Sequence, residues 1–439
     1  MGWRWLIVTL AACYHGSAAF DQPCSADGKC PFGQVCDTGQ SPPLCVAMLG
    51  DASIQQGGGD AAPADASPCG ACPASMPVCD LQSTTCRACG SDSDCPSDLC
   101  VESTGECIDQ ARALYVDPSG SDSGDCERAA PCATVSYAVG QITQTRRAIR
   151  VGDGTYTDSF IGNAMGGTVL VSGSHADASA ATFQFTADGG QFDHVFELRS
   201  GNWLFEDVTL TGAVHEALRV QGGATVTLFA SKLTGSGGGL DIAASTVTAT
   251  VVAVTGNNGI GVNANGSATV DLERCAIANN SAAGIQSSGA SLTVVNTLIA
   301  GNSAGAVVAG PTAGGATLRF DFDTVADNGS ASSPAGTGLT CSTGQVIPVT
   351  NSIFSNNGTA PQISNCPASY TLFSDTAATG DGNMQGDPLF VNESHGNFHI
   401  TPDSPARSVA DPGATLDIDF DGEARPQGPN RDMGCDEIP

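Results

Sequence analysis

Lysine is almost missing from this chain: only Lys29 and Lys232 stand among its 16 basic residues, against 45 acids, and the net charge is −29. A surface of that sign repels nucleic acid and anionic lipid headgroups, and holds a polyanionic glycan only through a bridging cation. The acidity reads as a solubilising coat and by itself defines no site. Charged residues of both signs reach only 14% and aromatics 5%, while glycine is present 55 times. That balance disfavours helical bundles and favours turn-rich β structure. Beyond the N-terminus no apolar run approaches the roughly 20 residues of a membrane-spanning helix.

What is abundant is cysteine, 19 in all, with fifteen before residue 133. Such density implies an oxidising compartment and hence export. The first residues agree: Arg4 precedes the apolar run Leu6 to Leu10, and Leu10-Ala11-Ala12-Cys13 resembles a bacterial lipobox. That resemblance implies cleavage after residue 12 and a lipid on Cys13; cleavage after Ser17-Ala18-Ala19 is the alternative, because the segment is short for a signal peptide.

Residues 13–46 contain Cys24, Cys30, Cys36 and Cys45 among Pro, Gly, Asp and Ser, with little apolar surface, so disulfides must replace a core. An Ala/Gly/Asp/Pro linker over 47–68 follows, then a second Cys-rich module over 69–112. Its Cys69-x2-Cys72 and Cys86-x2-Cys89 have zinc-ribbon spacing, but four interleaved cysteines and the exported context favour disulfides over metal. Both modules read as a stapled stalk or as small partner-binding beads.

From Phe196 to Asn356 one phrase recurs: a branched aliphatic residue, two small or polar residues, then usually Asn. The aliphatic anchors are Leu210, Leu233, Val254, Ile277, Ile299, Val325 and Ile353, and three residues beyond most of them stand Asn257, Asn280, Asn302, Asn328 and Asn356. A period in the low twenties is the mark of stacked coils. Within a coil the pieces are four to six residues long with alternating polarity, as Leu218 and Val220 or Val226 and Leu228 illustrate, which predicts short strands stacked along an axis. The Asn column is then expected to form an internal hydrogen-bonded ladder. Leucine-rich repeats share part of this spacing, but here Gly, Ser, Ala and Thr fill the places where their convex side needs leucine.

The run Leu114-Tyr115-Val116-Asp117-Pro118, then Pro131-Cys132-Ala133-Thr134-Val135, then Ile149-Arg150-Val151-Gly152-Asp153-Gly154, resembles the entry of bacterial extracellular right-handed parallel β-helix proteins of the pectin-lyase-like kind. Asp387-Pro388-Leu389-Phe390, Ser404-Pro405-Ala406, Asp419-x-Asp421-Gly422 and Asp432-Met433-Gly434-Cys435 resemble their closing tail. The resemblance implies a β-helix over 113–386 with an N-terminal helical cap near Thr134, and a closing segment over 387–439. Cys126 and Cys132 are expected to bridge, as are Cys341 and Cys366; Cys275 and Cys435 have no assigned partner. The fold class is mainly β, a right-handed parallel β-helix solenoid preceded by small disulfide-rich modules.

Enzymes of this fold usually act on polysaccharide in a groove, using carboxylates, a calcium site or a basic proton acceptor. The carboxylates here are dispersed. The best catalytic candidates are Arg319, Asp321 and Asp323, read as three charges on one strand face, and Asp417, Asp419 and Asp421 resemble half of a calcium loop. His395 and His399 flank a turn and are read as non-ligating. Trp203 is the single tryptophan beyond the leader, so aromatic platforms for sugars are scarce. The resulting expectation is an exported cell-envelope lipoprotein, monomeric, on the outer membrane or cell surface, that binds extracellular polysaccharide or a surface protein without catalysis. It would touch the membrane only through its lipid and need no cofactor, with Ca2+ as the one candidate. The competing expectation is a polysaccharide lyase or glycoside hydrolase acting in a groove of the helix.

Overall fold

The computed structural model describes residues 69, 72–174, 181–184, 193–310, 317–329, 338–341, 348–358, 361–375 and 379–439, together with the strands Gln34–Asp37 and Leu44–Ala47. Cys13, Cys24 and Cys30 lie outside them. The chain divides into two compact units, one over His15–Gln110 and one carrying Ala111–Pro439.

The first unit is built on crosslinked hairpins. Val78–Asp80 pairs with Thr85–Arg87, and Cys100–Val101 with Glu106–Cys107, both antiparallel. Four disulfides, Cys69–Cys79, Cys72–Cys86, Cys89–Cys100 and Cys95–Cys107, use every sulfur of the second module. No thiolate is left there for zinc. Around Cys89, Cys95 and Cys100 only a few apolar groups gather, so the crosslinks replace the core that so short a segment cannot build.

The second unit is a right-handed parallel β-helix. It starts at Ala113–Val116, which pairs in parallel with Ala148–Val151. The helix Val135–Gly140, capped by the Thr134 side chain accepting from Tyr137 N–H, buries Val135 and Ala138 against this first coil. Cys126 and Cys132 are bonded beside it. Each later coil contributes three short strands. Glu216–Val220, Thr225–Phe229 and Lys232–Thr234 form one coil, and each pairs in parallel with its counterpart one coil on, Gly238–Ala243, Thr246–Thr250 and Ala253–Thr255. The third of these sheets runs through eleven strands.

Alternation places Leu218, Val220, Val226, Leu228 and Leu233 inside, all fully buried. Each buried aliphatic contributes about 1.5–3 kcal/mol relative to exposure. The first coils are filled by rings instead: Phe183 and Phe196 meet at 5.0 Å, Phe196 and Phe205 at 5.7 Å, and Trp203 stacks on Phe205 at 6.1 Å. Trp203 is therefore a core residue and offers no platform to a sugar.

Every coil bends at a residue in the left-handed region between its second and third strands: Ala230, Val251, Arg274, Asn296, Phe322, Asn351 and Tyr370 all have positive φ. The bend after the third strand holds the asparagine ladder. Asn280 donates from Nδ2 to Asn302 Oδ1 at 2.9 Å, and Asn302 to Asn328 Oδ1 at 2.8 Å; the same Nδ2 groups reach the carbonyls of Val254 and Ile277. A column of glycines makes room. A Cβ on Gly261 would stand 2.7 Å from Asn280 Nδ2, and one on Gly284 2.8 Å from Asn302 Nδ2.

The last rung is Asn357, not Asn356. Val325 pairs with Phe354 rather than Ile353, so the inward slot shifts by one and the fully buried Asn357 accepts from Asn328 Nδ2 at 2.8 Å. Asn356 instead takes the left-handed bend, at φ 53, and its side chain points out to Glu393. Gln362 Oε1 ends the ladder by accepting from Asn357 Nδ2 at 2.8 Å.

The closing segment lies over the outer side of the third sheet. Phe398, Phe420 and Cys435 cover Ala276, Leu298, Ala300 and Ala326, and Ile400, Ala406 and Met433 cover Phe322, Ile353 and Leu372. Backbone N–H groups pin it, Cys435 N–H to Thr324 Oγ1 at 3.0 Å and Gly434 N–H to Asn351 O at 2.7 Å. Cys341 and Cys366 are bonded, whereas Cys275 and Cys435 are buried free thiols. Burial pushes the Cys275 thiol up to about 12, which makes it inert at neutral pH.

Candidate functional site

With the third sheet covered, the first sheet presents a polar lane to solvent. Its register stacks Glu197 on Arg219, Arg219 on Asp241, Asp241 on Asn263 and Asn263 on Gln286. Flanking residues Leu198, Val220, Ile242 and Ala264 point inward, so the pleat forces these polar side chains out, one per coil at about 4.8 Å. The lane then fades, because Val308 follows Gln286.

Its chemistry is concentrated in the early coils. Arg199 clasps Glu197 through two bonds of 3.0 Å, and Gln221 donates to the same carboxylate. Burial alone would raise the Glu197 carboxyl, but the Arg199 fork outweighs it and holds the group below the usual carboxylate range. Asp241 is shifted the other way: burial raises it, the Glu216 carboxylate adds to the shift, and Asn263, donating at 2.8 Å, and Arg219 offset only part of it. His194 lies between Glu216, 3.4 Å from its carboxylate, and Arg219, 3.4 Å from NH1.

Two atoms of this lane are left without a partner. Arg219 Nε stands 3.6 Å from Asp241 Oδ2, too far for a hydrogen bond, and neither it nor Asn263 Oδ1 has a partner among the described residues although both are shielded from solvent. A donor and an acceptor on successive-but-one rungs thus carry unmet hydrogen-bonding capacity inside the lane.

The catalytic candidates named from sequence do not share a face. Phe322, at φ 57, reverses the chain between them. Arg319 and Asp321 point outward as a 2.6 Å ion pair, with Asp321 also accepting from Thr350 and Asn351. Asp323 turns into the interior, where it is fully buried and accepts from the backbone N–H of Thr297 and of Asp321. It belongs to an inward column with Cys275, Thr297 and Ser352, and burial raises its carboxyl well above the normal range.

Nor do the three calcium candidates converge. Asp417 is exposed and pairs with Arg431 at 3.2 Å. Asp419 is buried and accepts from the N–H of Glu423 and Glu437, bracing the turn. Asp421 faces His399 at 2.9 Å. An alternating strand-like run sends consecutive odd positions to different partners once the chain turns, which defeats the loop pattern.

The lane itself escaped a reading keyed to aliphatic anchors. Its signal was present: Glu197, Arg219, Asp241 and Asn263 each follow the last by 22 residues.

Residues 193–377 match the family model for the right handed beta helix region. Among solved structures, the pectate lyase Pel9A is similar with a TM-score of 0.56 and 17% identity, over 76% of this chain and 98% of that one. At that identity the likeness shows the fold alone. No curated protein matches the sequence.

Proposed function

We propose that this right-handed parallel β-helix is an exported, cell-envelope protein that binds an extracellular polysaccharide, without cleaving it, along the lane Glu197–Arg219–Asp241–Asn263–Gln286. The observation that carries the reading is the periodic row of outward polar side chains, one per coil, whose donors and acceptors can bond hydroxyls. A linear sugar chain can lie along such a row and bond several rungs at once. The mixed charge of the lane, Arg199 and Arg219 against Glu197, Glu216 and Asp241, suits a neutral or weakly charged glycan better than a polyanion. Six disulfides among the described residues support an oxidising, extracellular setting, and lipidation of Cys13 would tether the protein there.

Affinity electrophoresis against a panel of neutral and acidic polysaccharides tests the proposal. Retardation by a polysaccharide, lost in Arg219→Ala and Asn263→Ala while the fold persists, is the expected result. Retardation that both variants retain would remove the lane from the account. Release of unsaturated or reducing ends, abolished by Asp241→Ala, would replace binding with a lyase or hydrolase. In that case the raised carboxyl of Asp241 beside Arg219 would be the proton-transferring group.

A further inference from the structure

We propose that His399, Asp421 and Asp436 bind one divalent cation of borderline softness, of the class of Zn2+, and that this ion ties together three separate stretches of the closing segment. One ligand atom from each residue lies within 4.8 Å of the other two. A modest inward movement of these side chains would give the separations found around a single tetrahedral ion. His399 comes from the strand Asn397–Ile400, Asp421 from the turn before Gly422, and Asp436 from the stretch that follows Gly434 and Cys435.

The imidazole is already set for this role. Asn397 Oδ1 accepts from the backbone N–H of His399 at 3.1 Å, which identifies that atom as the amide oxygen, and it lies 2.7 Å from His399 Nδ1. Nδ1 must therefore carry a proton, and Nε2 is the nitrogen turned toward Asp421 Oδ2, 2.9 Å away. Such an outer hydrogen bond fixes the tautomer and ring plane of metal-ligating histidines. Asp436 is held equally firmly, with Oδ2 accepting from Ile400 N–H at 2.7 Å.

An independent observation is the charge around the site. Asp419, Asp432, Asp436 and Glu437 are all buried in the closing segment, where Arg425 is the buried base. A neutral imidazole and two carboxylates reach zero net charge with a dication. One imidazole with two carboxylates favours Zn2+ over Ca2+, which takes oxygen ligands in larger number.

The full chain, with disulfides intact and stripped by a chelator, is titrated calorimetrically with ZnCl2 at about pH 8. One ion per chain is expected, with affinity reduced at least about tenfold in Asp421→Asn and His399→Gln and unchanged in Asp417→Asn. Asp421 is at the surface, and unchanged melting of the stripped Asp421→Asn variant shows that it folds. The proposal is overturned if the stripped wild-type chain takes up no zinc, if both variants bind as tightly as wild type, or if Ca2+ at equal concentration displaces Zn2+. Polysaccharide binding by the lane has no bearing on these outcomes.

Discussion

Two columns of polar side chains run along this helix with nearly the same period, and they do opposite things. The inner one, Asn257 to Asn357, is fully buried, and each described amide bonds its neighbour and a carbonyl of an adjacent coil. The outer one, Glu197 to Gln286, follows the same coils, pairs its members imperfectly and leaves two shielded atoms unmatched. Repetition in a solenoid is therefore no evidence of function by itself. Satisfaction is the discriminating property: a column whose hydrogen bonds close on themselves holds the coils in register, and a column with open valences is available to something else.

The comparison breaks first at the inner column. Asn302→Ala removes the acceptor for Asn280 N–H and Nδ2 and the donor to Ile277 O and Asn328, so the unfolding free energy should fall by about 3 kcal/mol. Gly284→Ala should cost about 2–3 kcal/mol by a different route, because its Cβ would meet Ala306 O at 2.8 Å as well as Asn302 Nδ2. Chemical denaturation followed by circular dichroism measures both. If either variant melts like the wild type, the ladder is not a register device.

Asp323 sharpens the comparison, since it is an acid in an inward column otherwise served by Thr297 and Ser352, which accept one backbone N–H and donate to the carbonyl two residues back. Its carboxyl is raised by burial, so the folded state holds a proton that the unfolded chain gives up. That contribution is complete below the unfolded value near 4 and is lost as pH rises toward the folded one. Asp323→Thr should therefore raise stability by about 1–2 kcal/mol at pH 8 and make little difference at pH 4. Melting curves at the two values decide it; an equal gain at both would mean packing, not ionisation, is responsible.

The smallest expected effect is on the outer column. Asn263→Ala and Arg219→Ala should change stability by no more than about 0.5 kcal/mol, because half-buried, loosely paired groups at a surface contribute little. A loss of several kcal/mol would show that the lane is structural after all, and would undo the contrast with the asparagines.

Much of this was legible in the sequence, for physical reasons that also explain the misses. The β-helix could be read because inward aliphatics and the Asn slot obey one period over many coils. The final rung was misplaced because Ile353 and Phe354 are both apolar, and only the bend conformation decides which faces inward. Asp323 was misread for the same reason: strict alternation ends at Phe322, whose left-handed φ has no signature in an aromatic side chain. The metal-site trio could not be found by spacing, since its members meet only after the closing segment folds back on itself. The lane could have been found by asking which polar residues, and not only which aliphatic ones, recur at 22.

The pinned bend at the end of each coil has a further consequence, for length. Each circuit of about two dozen residues begins and ends at equivalent ladder positions, one rung apart along the axis. Duplicating one circuit would therefore insert a whole rung into the inner ladder and the outer lane together, while leaving the capped first coil as it is. The helix behaves as a ruler graduated in single coils, and the length of its outward faces is set by how many graduations the gene has accumulated.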